Sequence, residues 1–258
     1  MILTIDIGNS AITMGGFEGE DLVFSSRIST DREKTSDEYA ISILNSFKLY
    51  GVDKSAVKGV IVASVVPPVN SAVREAIELV FGIKPLFVGP GVKSGIQIQC
   101  DIPSSVGADI IASSVAAKHI FGGPCLIVDI DTVTKITLID KKGAFAGTSI
   151  MPGVLMGLNA LSEKTAQLPK ISLEAPSSVM GKNTADSMRS GAIFGNASMI
   201  DGMIDRVEKE LGEIVAVCAT GELSSLVIPY CTHTLLSDAH LVLKGLNIIY
   251  GKNNPKSE

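Results

Sequence analysis

Two stretches of the chain share one plan, and that repetition constrains the fold more than any other feature. In Leu3-Thr4-Ile5-Asp6-Ile7-Gly8-Asn9-Ser10 an apolar run ends in an aspartate, a glycine and small polar residues, and a second apolar stretch follows. The pattern predicts a buried strand, a tight turn and a returning strand. Leu126-Ile127-Val128-Asp129-Ile130-Asp131-Thr132-Val133-Thr134 repeats it, continued by Thr137, Leu138 and Ile139 up to a turn at Lys141-Lys142-Gly143. Each copy opens roughly half of the chain, so the repeat predicts a duplicated domain. In such a duplication the two turns face each other across a cleft and hold a polyphosphate.

The residue types suit that role. An aspartate at a strand end holds a hydrated divalent cation or a water, and Gly8 lets the backbone approach a ligand. Asn9 and Ser10 add hydrogen-bonding groups, and amides exposed in such a turn bind phosphate oxygens. A plain hairpin with an Asx-type turn explains either copy taken alone.

Composition excludes several classes. With 46% apolar residues the chain is globular, and a net charge of −5 without a basic cluster argues against a nucleic-acid surface. No apolar run is long enough to span a bilayer. The N-terminus lacks a basic region and carries Asp6 within its apolar stretch, so it does not read as a signal peptide. Cys100, Cys125, Cys218 and Cys231 are scattered and read as reduced, buried thiols of a cytoplasmic protein. His119, His233 and His240 form no metal-ligand pattern.

Between the two copies, residues 11–28 predict two further strands around Glu18-Gly19-Glu20-Asp21. A helix from Ser36 to Tyr50 follows, with Tyr39, Ile43, Phe47 and Tyr50 on its core face and Gly51 as its stop. Val60–Val66 is a buried strand closed by Pro67-Pro68, then come a helix over 69–81 and a strand over 85–88, an α/β layering. Gly95–Gln99 alternates like another short strand. Ser105 is a candidate cap for a helix reaching Phe121, with Asp109 in its first turns, where a carboxylate either answers the helix dipole or serves as a base. After the second copy come a strand over 144–150, a helix from Gly153 to Leu161, a second helical piece ending at Leu168-Pro169 and a loop over 171–182. The long helix 184–211 carries Met188, Ala192, Met199, Met203, Val207 and Leu211 along one stripe, with Gly191, Gly195 and Gly202 suited to a subunit interface. A strand over 214–219 ends at Thr220-Gly221-Glu222, a turn able to meet a nucleotide. A helix over 239–250 and a frayed tail from Lys252 to Glu258 complete the chain.

Several of these segments match one family. Asp6-Ile7-Gly8-Asn9-Ser10, Ser64-Val65-Val66-Pro67-Pro68, Val88-Gly89-Pro90-Gly91-Val92, Val106-Gly107-Ala108-Asp109, Leu168-Pro169 and Gly181-Lys182-Asn183-Thr184 resemble the motifs of the type III pantothenate kinases. That family is a branch of the acetate-kinase, sugar-kinase, heat-shock-70 and actin superfamily. The resemblance implies an α/β fold of two ribonuclease-H-like domains from an internal duplication, with mixed sheets flanked by helices and a cleft between them, taken as residues 1–120 and 121–258. It implies ATP-dependent phosphorylation of pantothenate to 4'-phosphopantothenate, the first step of coenzyme A biosynthesis, by a cytoplasmic homodimer. Asp109 would be the general base. Asp6, Ile7, Gly8, Asn9, Ser10, Ala11, Ile12, Thr13 and Thr132 would bind ATP, with Asp6 also orienting Mg2+ and Asp129 holding a monovalent cation, K+ or NH4+. Cys100, Gly107, Ala108, Asp109, Ile110 and Thr184 would line the pantothenate site, Thr184 from the partner subunit.

The chain also departs from the family pattern. Ile110 stands for an arginine, Cys100 for a tyrosine, Asp131 and Glu222 for glycines, and Lys135 for a small residue. Two unit charges about 4 Å apart repel by about 4 kcal/mol at an effective dielectric of about 20, so Asp131 would oppose a polyphosphate unless Lys135 neutralises it. These departures set two alternatives beside the family reaction: a catalytically impaired homologue with a binding or regulatory role, and a kinase of another small hydroxylated substrate.

Overall fold

The computed structural model describes residues 1–254 as two compact units, Met1–His119 with the C-terminal segment from His240, and Ile120–Ala239. In the first unit, β1 (Ile2–Ile7), β2 (Ala11–Glu18) and β3 (Asp21–Ser29) form an antiparallel meander. Next come α1 (Ser36–Leu49), β4 (Gly59–Ser64), α2 (Asn70–Phe81), β5 (Leu86–Phe87) and α3 (Ala108–Phe121). The sheet order is β3-β2-β1-β4-β5, with β4 parallel to both β1 and β5. Leu3, Ile5 and Ile7 of β1 pack with Val60 and Val62 of β4 against Tyr39, Ile43 and Phe47 of α1 and Val73 and Ile77 of α2. Thr35 and Glu38 close a reciprocal capping box at the start of α1.

The second unit runs β6 (Cys125–Ile130), β7 (Val133–Ile139), β8 (Phe145–Pro152), α4 (Val154–Lys164), α5 (Thr184–Leu211), β9 (Ala216–Thr220), the single turn α6 (Ser224–Val227) and β10 (Leu236–Ser237). Its sheet order is β10-β9-β6-β7-β8. Strand for strand this is the order of the first sheet, so the repetition seen in two hairpins extends to two whole five-stranded sheets.

The last helix, α7 (Leu241–Asn253), belongs to the first unit, whereas the sequence placed residues 121–258 together. Leu241, Leu243, Leu246 and Ile249 are buried on it, and it covers β1, β2 and β4. Asn247 donates to the Gly19 carbonyl at 2.8 Å, and Asn253 both accepts from the Lys93 amide and donates to its carbonyl. Helical periodicity names the face a helix buries, not the sheet that covers it.

Other expectations change locally. Ser105 lies in a 3-10 turn and donates to the Ile102 carbonyl, so α3 starts only at Ala108. Gly95–Gln99 forms no strand, and residues 165–183 form neither helix nor strand. The buried stripe of α5 is Met188, Ile193, Ala197, Ile200 and Ile204, about one position round from the predicted methionine stripe, because β-branched residues fill the sheet face. Tyr50 is exposed at the end of α1 and leans on Phe24, with 5.7 Å between ring centroids. Lys252 and Asn253 lie within α7, and the rest of the predicted frayed tail, beyond Asn254, falls outside the described residues.

Cys125 and Cys218 are fully buried, while Cys100 and Cys231 are only half-buried. Burial, aided by the neighbouring Cys218, pushes the Cys125 thiol up to about 12. The reactive thiolate is therefore scarce at any lower pH. Iodoacetamide is expected to leave Cys125 unmodified in the native protein at about pH 8 and to modify it in urea. Peptide mass mapping reads this directly, and equal labelling in both states would contradict the burial.

Candidate active site

In the first copy the ladder places Asp6 opposite Thr13 and Ile7 opposite Ile12. Gly8 donates to the Ala11 carbonyl at 2.9 Å and closes the turn. Thr30, just after β3, braces it: its amide donates to the Ser10 carbonyl and its hydroxyl to the Gly8 carbonyl, the latter at 2.6 Å. Asn9 and Ser10 are exposed, and Asp6, Gly8, Ala11 and Thr13 are partly buried. Ile7 and Ile12 bury their side chains in the core, so only their backbone belongs to the turn.

Asp109 occupies the first turn of α3. Its carboxylate folds over Gly107, where a Cβ would stand 2.4 Å from Asp109 Oδ1 and 3.6 Å from Val65 Cγ1. Val65 follows β4 and donates its amide to the Ile7 carbonyl at 3.1 Å. This chain of contacts sets Asp109 and the Asp6 turn at the carboxyl ends of β1 and β4, the usual place for ligands on an open α/β sheet. Ala108 and Ile110 are buried beside it, and Cys100 is half-buried in the irregular segment before α3.

In the second copy Asp129 on β6 stands opposite Lys135 on β7 and Thr220 on β9, so the three side chains form one row on one face of the sheet. Lys135 Nζ lies 2.8 Å from Asp129 Oδ2, with the two side chains only 12% and 14% exposed. The sequence had matched Lys135 to Asp131, but its ion pair is with Asp129. Side chains alternate along a strand, so the register of the hairpin selects the partner. Two glycines clamp this hairpin. A Cβ on Gly221, whose φ is +93°, would meet Asp129 Oδ1 at 2.6 Å and the Ile130 carbonyl at 2.5 Å. A Cβ on Gly153 would meet the carbonyls of Thr132 and Asp131 at 2.3 and 2.4 Å. The Gly153 clamp and the Asp129–Lys135 pair escaped the sequence reading, which placed Thr220 only in a turn able to meet a nucleotide; strand parity gives the pair only once the closure of the turn is known.

Thr184 begins α5, behind the cap Asn183, whose side chain accepts from the Asp186 amide at 2.9 Å. An open groove of about 520 Å³ runs past Thr184, Leu161, Leu168, Gly181 and Met188. Asp205, Glu208 and His233 bring three potential metal ligands within 4.8 Å of one another, a grouping that sequence spacing does not reveal. There His233 Nε2 lies 2.9 Å from Asp205 Oδ1, and Glu208 accepts from the Val215 amide, both fastening the local fold. No helix among the described residues is long and apolar enough to cross a membrane.

Two mixed five-stranded sheets of the same order, flanked by helices, define a fold of two ribonuclease-H-like units. Solved structures agree at the level of the fold. One is an activator of 2-hydroxyisocaproyl-CoA dehydratase from Clostridium difficile, with a TM-score of 0.56 and 12% identity over 100% of this chain and 98% of that one. Another is a Campylobacter jejuni protein described as a Baf family transcriptional activator, with a TM-score of 0.60 and 16% identity over 99% of this chain and all of that one. The family profile "Type III pantothenate kinase" matches residues 2–206. Curated proteins of that name are similar along nearly their whole length: 41% identity for one from an Exiguobacterium species (98% of this chain, 99% of that one) and 39% for one from Solibacter usitatus (100% and 98%). The chain belongs to the type III pantothenate kinase family.

Proposed function

We propose that this protein transfers the γ-phosphoryl group of ATP to the primary hydroxyl of pantothenate, giving 4'-phosphopantothenate in the first step of coenzyme A biosynthesis. The observation that carries this reading is the convergence of the Asp6 turn and Asp109 at one end of the first sheet, in a chain of this family. Asp109 accepts the hydroxyl proton as the phosphoryl group arrives. Phosphoryl transfer asks a protein chiefly for positioning and charge balance, and Gly8, Asn9 and Ser10 provide a braced turn for the phosphates. Asp6 fits magnesium, which prefers hard oxygen ligands and is held by one or two carboxylates plus phosphate: it offers a carboxylate at the foot of that turn, opposite Thr13 in the ladder. Magnesium, when bound, neutralises phosphate charge. Thr132 contacts the nucleotide, and a cytoplasmic location goes with ATP as donor. Cys100, Gly107, Ala108 and Ile110 border the pantothenate site. Ile110 supplies no positive charge there and Cys100 no phenol, so substrate positioning rests on the remaining contacts. The relatives favour neither of the two alternatives to this reaction.

A homodimer completes the proposal, with Thr184 reaching pantothenate from the partner subunit. Its support is the apolar surface of the second unit: Leu155, Met156 and Leu161 on α4 are each more than 40% exposed, as are Val179 and Met180 in the loop before α5. Concentrated exposed apolar side chains mark interaction surfaces. The double substitution Leu155→Glu, Met156→Glu is expected to shift the protein from dimer to monomer in sedimentation velocity; an unchanged dimer would place the interface elsewhere. The reaction itself is tested by a coupled assay with ATP, magnesium and pantothenate. Turnover with 4'-phosphopantothenate as product supports the reading, and a folded protein that produces none overturns it.

A further inference from the structure

We infer that Lys135 holds, as a built-in ammonium on Asp129, the positive charge that the family takes from a free monovalent cation, so that this protein works without potassium or ammonium. The inference rests on the kinase reading for its catalytic half and on the geometry of the second hairpin for the rest. Asp129 is the residue that family resemblance assigns to the cation, and its surroundings do not fit a free ion. Lys135 Nζ already stands 2.8 Å from Asp129 Oδ2, the spacing of a charge-assisted hydrogen bond. The other oxygen, Oδ1, lies so close to Gly221 that a single Cβ there would come within 2.6 Å. One oxygen is thus bound and the other packed against backbone. An ion seeking Oδ2 would have to displace a lysine ammonium of the same charge, tethered directly across the ladder and present at a high effective concentration. Both side chains are nearly buried, so solvent screens this competition weakly.

The first copy shows what the ladder carries without such a substitution. There the residue opposite the aspartate Asp6 is Thr13, a neutral hydroxyl. Lys135 in the equivalent place sets an ammonium, rather than a neutral hydroxyl, across the ladder from the aspartate.

Thermal melting of the full chain in potassium or ammonium chloride, against tetramethylammonium chloride at matched ionic strength, tests this without any need for catalysis. Wild type is expected to gain nothing from either small cation. Lys135→Thr, which copies the first hairpin, is expected to show a saturable gain of about 2–4 °C, lost again when Asp129→Asn is added. If Lys135→Thr does not fold, Lys135→Met is melted in its place. In the pantothenate assay, wild type should turn over equally well in tetramethylammonium. Lys135→Thr should fall by about tenfold or more there and recover in ammonium or potassium. A saturable potassium-specific gain in wild type that Asp129→Asn abolishes would overturn the inference. So would wild-type turnover that collapses without potassium, or a Lys135→Thr protein indifferent to every cation. Absence of turnover in all salts would instead overturn the kinase reading, and the melting curves would still decide whether Asp129 accepts a free ion.

Discussion

Asp109→Asn is expected to lower kcat for pantothenate phosphorylation by about 10²–10⁴-fold while leaving KM for ATP and the melting temperature close to wild type. The substitution is isosteric and keeps an oxygen beside Gly107, so the fold of the first turn of α3 has no reason to change. What it removes is the capacity to accept the hydroxyl proton. A fall in kcat with KM preserved separates this role from simple binding, because an interaction lost equally from ground and transition states raises KM and spares kcat. A variant with wild-type kcat would remove Asp109 from the chemistry and leave it as the carboxylate that answers the α3 dipole, the other reading its position allows.

The second large effect is on stability. A Cβ at Gly245 of α7 would stand 1.8 Å from the Ala112 carbonyl oxygen and 2.5 Å from its carbonyl carbon, both backbone atoms of α3. Backbone cannot rotate aside as a side chain does. Gly245→Ala is therefore expected to cost about 3 kcal/mol in overpacking, against about 1 kcal/mol recovered from helix propensity. The net loss of about 2 kcal/mol lowers the melting temperature by about 4–8 °C. Gly251 lies in the same helix with nothing within 4 Å of the added atom, so Gly251→Ala should be neutral or stabilising by about 0.5 kcal/mol. The two variants separate packing from propensity, and equal melting temperatures would refute the close helix crossing. Ala112 sits one turn beyond Asp109, so a displaced α3 should also lower kcat in Gly245→Ala.

Much of this molecule was legible in the sequence. The two strand–Asp–turn copies, the α1 stop at Gly51 and the buried strand from Val60, which ends at Ser64 rather than Val66, follow from local chemistry, since strand alternation, capping and glycine stops are decided within a few residues. The family motifs brought Asp6, Asp109, Asp129 and Thr184 into one hypothesis before any coordinates. The α5 stripe was read about one position out because methionines and β-branched residues are both apolar, and composition alone does not say which row meets the sheet.

The sequence by itself determined most of the long strands and helices and which carboxylates end the two paired hairpins. Tertiary structure alone decided who meets whom. It extended the hairpin repeat to two whole sheets of one order, because the edge strand β10 is two residues long and carries no periodicity of its own. It returned α7 to the first unit, because an apolar helix face fits any sheet of the right shape. And it paired Lys135 with Asp129, because hairpin register, in which a one-residue slip sends every side chain to the opposite face, is set by how the turn closes.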